Sequence, residues 1–232
     1  MTDHRMAGNL YVSEVIGTFA LVFAGCGAIV VNDLYGGVIG HLGICIVFGL
    51  IVMAMVYATG NVSGAHINPA VTLGFYFAGR FEAKEIVPYI SSQLVGAIAA
   101  AAVLRFLFPE HATLGATLPA MPLAQTFVME VLLSFILMFV ILNVSTGHME
   151  KGIMAGVAVG GTVALNAMFG GPLTGASMNP ARSLGPALLS QNLDTIWIYL
   201  TAPVVGTFIA WPTCRWTQGK DCCPPRRRGE SD

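Results

Sequence analysis

The tripeptide Asn-Pro-Ala occurs twice in this chain, once in each half, and both copies are candidates for contact with a polar solute. Asn68-Pro69-Ala70 lies in the stretch SGAHINPAVT, and Asn179-Pro180-Ala181 lies in the second half, in the stretch TGASMNPARS. Asparagine caps the free N–H groups at a helix start, and proline is tolerated at the first helical position. Each copy therefore predicts a helix N-terminus, which offers N–H donors and a positive dipole end to a polar solute.

Arg182 and a pair of glutamates carry charge inside apolar parts of the chain. Arg182 lies three residues after Asn179, while Glu14 and Glu130 begin the similar stretches EVIGTF and EVLLSF. A charge at membrane depth is expensive and usually functional. We predict that Arg182 faces a polar path, with a snorkelling anchor at the interface as the alternative. We interpret both carboxylates as acceptors for irregular backbone before each short helix, and a proton relay is the alternative.

His66 and Gln93 are two further polar residues for which we predict a structural role. His66 precedes Asn68 by two residues and is expected to brace the loop there, with gating by pH as the alternative. Gln93 lies in an apolar stretch and is expected to form hydrogen bonds inside the protein. The sequence contains no metal-ligand spacing and no nucleophile–base pair, so we predict no enzyme, no metal site and no cofactor.

The composition indicates that these residues are positioned by membrane-spanning helices. Of the 232 residues, 55% are hydrophobic and only 10% are charged, and the mean hydropathy is +0.73. Soluble domains carry about 25% charged residues, so this chain cannot cover a water-facing surface. The formal net charge of −1 provides no basic field for nucleic acid. We therefore predict an all-α integral membrane protein.

Six apolar stretches are long enough, or nearly so, to cross a hydrocarbon core of ~30 Å, which takes ~20 helical residues. Two others, which begin at Pro69 and Pro180, reach only ~15 Å, about half of that thickness. Short segments at corresponding places of two halves indicate a binding or permeation site near the midplane. The predicted spans are residues 10–31, 38–59, 86–108, 124–144, 154–169 and 196–216, and the half-helices are residues 69–78 and 180–189. The fifth span is short by itself, and Lys151-Gly152 and Gly170-Gly171 leave room to extend it.

Each half of the chain has the same order: a span with a glutamate, a second span, a half-helix and a third span. Because three is an odd number, the second half must enter from the opposite side, which gives an inverted 3+3 repeat. The half-helices then meet at their N-termini, where a positive midplane repels cations and lets neutral solutes pass. Two re-entrant loops without a pore are the alternative. We predict one transmembrane channel domain over residues 1–232, with repeat 1 at about 8–108, repeat 2 at about 124–216 and a cytoplasmic tail at 217–232.

The distribution of lysine and arginine predicts the orientation, because cytoplasmic loops carry the positive charge. Arg105 and Arg182 are the two exceptions to a one-sided distribution. With six spans, both termini are expected in the cytoplasm, and the chain is expected to be a multi-pass protein of the inner or plasma membrane. The residues on the positive side are Arg5, Arg80, Lys84, Lys151, Arg215, Lys220, Arg226, Arg227 and Arg228.

The duplicated tripeptide, the paired glutamates, the six-plus-two layout and Arg182 resemble the aquaporin (major intrinsic protein) family over roughly residues 8–216. The stretches MVYATGNVSGAHINPAVT and TGASMNPARSLGPA are most similar to the nodulin-26-like members and their bacterial relatives. The resemblance implies a homotetramer in the lipid bilayer, with one pore in each subunit.

The resemblance also implies a four-residue selectivity filter, which counting from the two motifs assigns to Phe48, Ala167, Ala176 and Arg182. Water-selective members typically have histidine at the second of these positions, and this chain has alanine. Glycerol facilitators typically have aspartate directly after the arginine, and this chain has Ser183. The first departure puts strict selectivity for water in doubt, and the second separates the chain from glycerol facilitators.

The function that the resemblance implies is passive conduction of small uncharged hydroxylated solutes and water, with protons and ions excluded. Such solutes include glycerol and metalloid hydroxides such as arsenous, boric and silicic acid. A strict water channel is the alternative, which Ser183 fits and the alanines at positions 167 and 176 oppose. A secondary transporter is a third possibility, but it would need more coupling groups in the membrane than the two glutamates.

Overall fold

The computed structural model describes residues 7–145 and 149–219. Over these residues the chain forms eight α-helices and no β-strand. The helices are α1 (Ala7–Leu34), α2 (Gly40–Ser63), α3 (Pro69–Phe77), α4 (Ala83–Leu107), α5 (Leu123–Val144), α6 (Met149–Thr174), α7 (Pro180–Ser190) and α8 (Ile196–Gln218).

Six of these helices are long and apolar enough to cross a membrane: α1, α2, α4, α5, α6 and α8, counted within the described parts of the chain. The other two, α3 and α7, have 9 and 11 residues, and each begins at the proline of an Asn-Pro-Ala copy. The predicted fold class, an all-α membrane protein with six spans and two half-helices in an inverted 3+3 arrangement, is confirmed.

The largest difference from the predicted bounds is at α6. The apolar stretch ends at Phe169, but the helix continues through Gly170, Gly171 and Pro172 to Thr174. Gly170 faces the Leu133 side chain of α5, so packing against a neighbouring helix offsets the low helix propensity of this turn. Near the C-terminus, α8 continues to Gln218, two residues into the predicted tail.

Asparagine caps begin both half-helices, as the two tripeptides predicted. Asn68 has an extended backbone, and its Oδ1 accepts a hydrogen bond from the Ala70 N–H at 2.9 Å. The Oδ1 of Asn179 accepts from the N–H groups of Ala181 and Arg182, at 3.0 and 3.2 Å. In both helices the proline stands where its missing N–H removes no helical hydrogen bond.

Equivalent glycines let the helices of each half pack closely. α1 packs against α4, and α5 packs against α8 in the corresponding way. A Cβ at Gly96 would collide with the backbone carbonyl of Val15, and a Cβ at Gly206 would collide with that of Val131. The repeated stretches YISSQLVG and YLTAPVVG therefore end in the glycine that permits each helix pair to form.

The outer surface of this bundle is apolar, as a lipid-facing surface requires. Large side chains such as Val87, Phe106 and Trp216 are more than two-thirds exposed. Predictions that depend on Arg5, on residues 220–232 or on the Lys151 side chain lie outside the described part of the molecule.

Candidate functional site

The two Asn-Pro-Ala copies meet in the middle of the bundle and are hydrogen-bonded to each other's loops. The Nδ2 of Asn68 donates to the carbonyl oxygen of Met178 at 2.8 Å. The Nδ2 of Asn179 donates to the carbonyl oxygen of Ile67 at 2.9 Å. These reciprocal bonds fix the N-termini of α3 and α7 against one another, so both positive dipole ends lie at one level of the fold.

The loop before α3 is held by Glu14, which lies fully buried in α1. Its Oε1 accepts hydrogen bonds from Ser63 Oγ at 2.7 Å and from the His66 N–H at 2.9 Å. Its Oε2 accepts from the Ile67 N–H at 2.7 Å and from Gln93 Nε2 at 2.8 Å. Four donors surround one carboxylate, so Glu14 satisfies polar groups that a lipid environment would leave unpaired.

Glu130 of α5 makes the corresponding contacts with the loop before α7. Its Oε1 accepts from Thr174 Oγ1 at 2.7 Å and from the Ser177 N–H at 2.9 Å. Its Oε2 accepts from the Met178 N–H at 3.0 Å. Each glutamate therefore accepts hydrogen bonds from backbone N–H groups of the loop that precedes a half-helix.

Both loops have an unusual backbone, with left-handed residues at alternate positions. The φ angle is +47° at Ala65 and +43° at Ile67, and it is +42° at Ala176 and +53° at Met178. A left-handed conformation costs a non-glycine residue roughly 1–2 kcal/mol. The hydrogen bonds to the buried glutamates offset this cost and keep each loop in one conformation.

This backbone conformation leaves carbonyl oxygens available on the other side of each loop. Among the described residues, no group donates a hydrogen bond to the carbonyls of Ala65, His66, Ala176 or Ser177. All four residues line one central cavity. The N–H groups thus face the glutamates, and the carbonyls are the acceptors that a solute in the cavity can use.

The cavity has a volume of about 60 Å³ open to the centres of water-sized spheres, and it brings the predicted site residues together. Asn68 and Asn179 line it, and so do Phe48, Ala167, Ala176 and Arg182, the four residues assigned by counting from the motifs. The rest of its wall is mainly aliphatic. These aliphatic residues are Leu21, Val52, Val56, Val71, Leu137, Ile141, Val159 and Val163.

Arg182 is the charged side chain of this cavity and is only 3% exposed. Its guanidinium carbon lies 5.1 Å from the centre of the Phe48 ring, within the range of a cation–π contact. Its Nη1 donates to the carbonyl oxygen of Gly115 at 2.9 Å. The guanidinium is therefore held inside the bundle, between an aromatic face and a loop carbonyl.

His66 lines the cavity and packs against three aromatic rings. Its ring stacks on Phe75 at 4.7 Å between centroids and also contacts Phe81 and Tyr89. Its Nδ1 lies 3.1 Å from Thr72 Oγ1. These contacts place the ring beside the loop, and the bracing role of His66 stays a prediction.

Gln93 has no counterpart in the second half, and the two halves differ as a result. Gln93 Nε2 donates to Thr72 Oγ1 at 3.0 Å as well as to Glu14. The equivalent position in the repeated stretch is Pro203, which has no side-chain donor. In the second half Ser183 Oγ is instead hydrogen-bonded to Ser177 Oγ and accepts from Thr117 Oγ1 at 2.7 Å.

Several residues of the site were not singled out from the sequence. Tyr89 Oη donates to the Ser63 carbonyl at 2.9 Å, and Tyr199 Oη donates to the Thr174 carbonyl at 2.7 Å. The two tyrosines begin the repeated stretches YISSQLVG and YLTAPVVG, so their duplication was a usable signal. Gly115 carried no such signal, because it contributes a backbone carbonyl.

The arrangement of these residues is that of a known protein family. The family described as Major intrinsic protein matches residues 3–211 of the chain. The chain belongs to the major intrinsic protein family. Family membership, together with the six spans, makes it a membrane channel of the aquaporin type for water and small solutes, and supports a channel over an enzyme.

Relatives within this family are nodulin-26-like aquaporins. Aquaporin NIP1-2 of Oryza sativa subsp. japonica is 47% identical over 211 residues, which are 87% of this chain and 69% of that protein. Nodulin-26 of Glycine max is 48% identical over 202 residues, which are 86% of this chain and 74% of that protein. The expected resemblance to nodulin-26-like members is confirmed.

A solved structure of the same family has the same fold. The X-ray structure of the aquaglyceroporin from Plasmodium falciparum superposes with a TM-score of 0.81 at 27% identity. The match covers 94% of this chain and 97% of that chain. The bundle, with its two half-helices, is therefore shared with another member of the family over nearly its whole length.

Proposed function

We propose that the chain is a passive channel for small uncharged hydroxylated solutes, including glycerol and metalloid hydroxides such as arsenous, boric and silicic acid, together with water. The observation that carries this proposal is the pair of alanines, Ala167 and Ala176, in the cavity wall that also contains Phe48 and Arg182. An alanine side chain is a single methyl group, so two walls of the proposed constriction are small. A solute larger than water therefore has room to pass between these alanines and the side chains of Phe48 and Arg182.

The chemistry of the cavity wall suits a solute with hydroxyl groups and an apolar side. Arg182, Asn68 and Asn179 lie along it with the carbonyls of the two left-handed loops, while Val52, Val163 and other aliphatic residues line the remainder. A solute leaving bulk water needs replacement hydrogen bonds, because unpaired polar groups are costly away from water. The hydroxyl groups of the solute bind these side chains and carbonyls, and its carbon or metalloid skeleton contacts the aliphatic wall.

Exclusion of protons and other cations follows in this proposal from two sources of positive potential. The N-termini of α3 and α7 meet at Asn68 and Asn179, and each has roughly half a positive charge from its dipole. Arg182 adds a full charge to the same cavity. A cation would have to pass both, whereas a neutral solute meets no comparable barrier.

A strict water channel is the second candidate, and Ser183 favours it. Glycerol facilitators resemble this chain but typically have aspartate at that position. Here the Ser183 hydroxyl is buried and hydrogen-bonded to Thr117, so it shapes the loop beside Arg182 and leaves no carboxylate there. The two candidates differ in one measurable quantity, the permeability ratio of glycerol to water.

We also propose a homotetramer in the inner or plasma membrane with both termini in the cytoplasm. The support for the orientation is the end of the bundle at which Arg80, Lys84 and Arg215 lie, since the topology places the start of α4 and the end of α8 on one side. The support for assembly is the family, in which one pore lies in each subunit. Crosslinking and protease protection in sealed vesicles measure these two properties.

Reconstitution into liposomes tests the proposed function. Stopped-flow light scattering gives water permeability under a sucrose gradient and solute permeability under glycerol or arsenous acid gradients, each compared with protein-free vesicles. We expect flux of water, glycerol and arsenous acid above the protein-free value. Glycerol and arsenous acid flux equal to that of empty vesicles, with water flux raised, would establish the strict water channel instead.

A double substitution tests whether the two alanines set the solute size. Ala167→His with Ala176→Cys fills two sides of the wall with larger side chains. We expect glycerol permeability to fall by roughly 10-fold, equivalent to a barrier higher by about 1.4 kcal/mol, with water permeability retained. Unchanged selectivity would mean that these residues do not form the filter.

A further inference from the structure

The segment that joins α4 to α5, residues 108–122, reaches Arg182. The Gly115 carbonyl accepts from Arg182 Nη1 at 2.9 Å. Leu114 and Gly115 are both left-handed, with φ angles of +52° and +72°. A Cβ on Gly115 would lie 2.9 Å from the Cβ of Cys26, so this turn is wedged between α1 and the arginine.

His111 holds this turn from within the segment. Its Nδ1 accepts hydrogen bonds from the Leu114 N–H at 3.0 Å and, more weakly, from the Thr113 N–H at 3.4 Å. A ring nitrogen that accepts has no proton of its own, so the proton of the neutral ring is on Nε2. Nε2 lies 3.4 Å from Asp33 Oδ2 at the end of α1, and the His111 side chain is buried.

Arg105, in the last turn of α4, holds the same segment from the other side. Its Nη1 donates to the carbonyls of Pro109 and His111, at 2.8 and 3.0 Å. Its Nη2 donates to the Leu189 carbonyl near the end of α7 at 3.0 Å. His111 is thus fixed twice, through its backbone by Arg105 and through its ring by Asp33.

We propose that His111 is a positioning residue for Arg182, and that it thereby contributes to solute selectivity. The connection runs from His111 Nδ1 to the Leu114 N–H, and from the next residue's carbonyl, that of Gly115, to Arg182 Nη1. It orients the carbonyl that keeps the guanidinium beside Phe48. This inference rests on the proposed channel function, because a positioning residue matters only if the cavity conducts.

Loss of the Nδ1 acceptor has a defined consequence. Leu114 is fully buried, so its N–H would be left without a partner, and the turn would have to rearrange to find one. The Gly115 carbonyl moves with the turn, and the guanidinium loses the acceptor that holds it at the wall. Arg182 then turns into the cavity and narrows it, which slows glycerol more than the smaller water molecule.

The test compares His111→Ala with His111→Asn in liposomes of the full chain, using the glycerol-to-water permeability ratio. After the permeabilities of protein-free vesicles are subtracted, the ratio does not depend on how much protein is reconstituted, so reduced folding alone leaves it unchanged. We expect the ratio to fall roughly 5-fold in His111→Ala, the effect of about one hydrogen bond on a barrier. Asparagine has an oxygen that can accept from Leu114, so His111→Asn should restore the ratio to within about 2-fold of the unsubstituted chain.

His41→Ala is the matched control. His41 is also a histidine at the outer end of the bundle, but it contacts the Met168 carbonyl and does not line the cavity. Its replacement should leave the ratio unchanged. If His111→Ala does not reconstitute, His111→Phe takes its place, because phenylalanine fills the same buried space and has no Nδ1 to accept from the Leu114 N–H.

The outcomes separate this inference from the proposed function. A ratio in His111→Ala, or in its replacement His111→Phe, equal to that of the unsubstituted chain overturns the inference while the channel function stands. Equal ratios for His111→Ala and His111→Asn overturn the role of the Nδ1 acceptor. Absence of glycerol flux through the unsubstituted chain overturns the proposed solute range, and the inference with it.

Discussion

The guanidinium carbon of Arg182 lies 5.1 Å from the centre of the Phe48 ring, and this contact joins α7 to α2 across the cavity. Among the residues that the structure describes, no carboxylate forms an ion pair with Arg182. Its charge is balanced instead by the ring face and by the Gly115 carbonyl. Because neither partner has a net charge, neither neutralises the guanidinium, and its positive electrostatic potential extends into the cavity.

Arg182→Ala should therefore raise the permeability to glycerol and allow cations to leak. The substitution removes both the bulk at the proposed constriction and the full positive charge that repels cations. We expect glycerol flux to rise several-fold and proton leak to rise roughly 10-fold, the effect of about 1.4 kcal/mol of lost repulsion. Stopped-flow light scattering measures the first, and a pH-sensitive dye inside vesicles held at a potassium diffusion potential measures the second.

Arg215→Ala provides the control for that experiment. Arg215 lies in the last turn of α8 and does not line the cavity, so its replacement removes the same charge from the chain without changing the wall. Neither flux should change. A proton leak of the same size in both variants would mean that the net charge of the protein, and not the position of Arg182, limits cation passage.

Asn179→Asp should weaken the barrier at the midplane. The carboxylate can still accept from the Ala181 N–H, but its second oxygen replaces the amide that donates to the Ile67 carbonyl. Two acceptors would then face each other, and a negative charge would lie between two helix N-termini. We expect cation leak to rise by roughly 10-fold or more, because the carboxylate attracts the cations that the two helix dipoles repel. The same dye assay detects it.

A suitable comparison for Asn179→Asp is Asn32→Asp at the end of α1. Asn32 Oδ1 accepts from the Gly40 N–H at 2.8 Å, so aspartate keeps this contact while it adds the same charge away from the cavity. Leak should stay at the value of the unsubstituted chain. If Asn179→Asp also leaves cation leak unchanged, the midplane is not where cations are stopped.

The sequence was sufficient for the fold because its strongest signals are local. The start of each half-helix follows from Asn-Pro, since the cap and the missing N–H both act within one turn. The lengths of the spans follow from the bilayer thickness. The exception, α6, passes through Gly170 and Pro172 because packing against α5 overrides local propensity, and no count of apolar residues contains that information.

The site was predictable only where side chains carry the contacts. Glu14 and Glu130 were recognisable as paired acceptors because both copies are present, and the structure places loop N–H groups on each. Counting from the motifs selected Phe48, Ala167 and Ala176, which the structure brings to one cavity, although their action as a filter stays a prediction. The turn at Gly115 was not foreseeable, because any residue type supplies a carbonyl.

Glu130→Gln should lower the stability of the protein. The amide keeps one acceptor oxygen but places an NH₂ group against a donor, so either the Met178 N–H or the groups of Thr174 and Ser177 lose their partner. A buried donor without a partner costs about 1–3 kcal/mol. We expect a lower midpoint of thermal unfolding in detergent. Glu110→Gln, at an exposed position between α4 and α5, should leave the midpoint unchanged, and an equal midpoint for both variants would contradict the anchoring role of Glu130.

Gly206→Ala should be destabilising although alanine is the better helix former. A Cβ at this position collides with the Val131 carbonyl and would lie 2.8 Å from the Ser134 Cβ, so α8 must move away from α5. Overpacking of this kind costs about 1–3 kcal/mol, more than the ~1 kcal/mol gained in helix propensity. Gly27→Ala is the matched control, because its Cβ would meet only Leu104 Cδ2, at an ordinary 3.4 Å. Thermal unfolding in detergent should therefore shift downward for Gly206→Ala and stay level or rise for Gly27→Ala. The same direction of shift in both variants would mean that helix propensity, not the close approach of α5 and α8, decides the outcome.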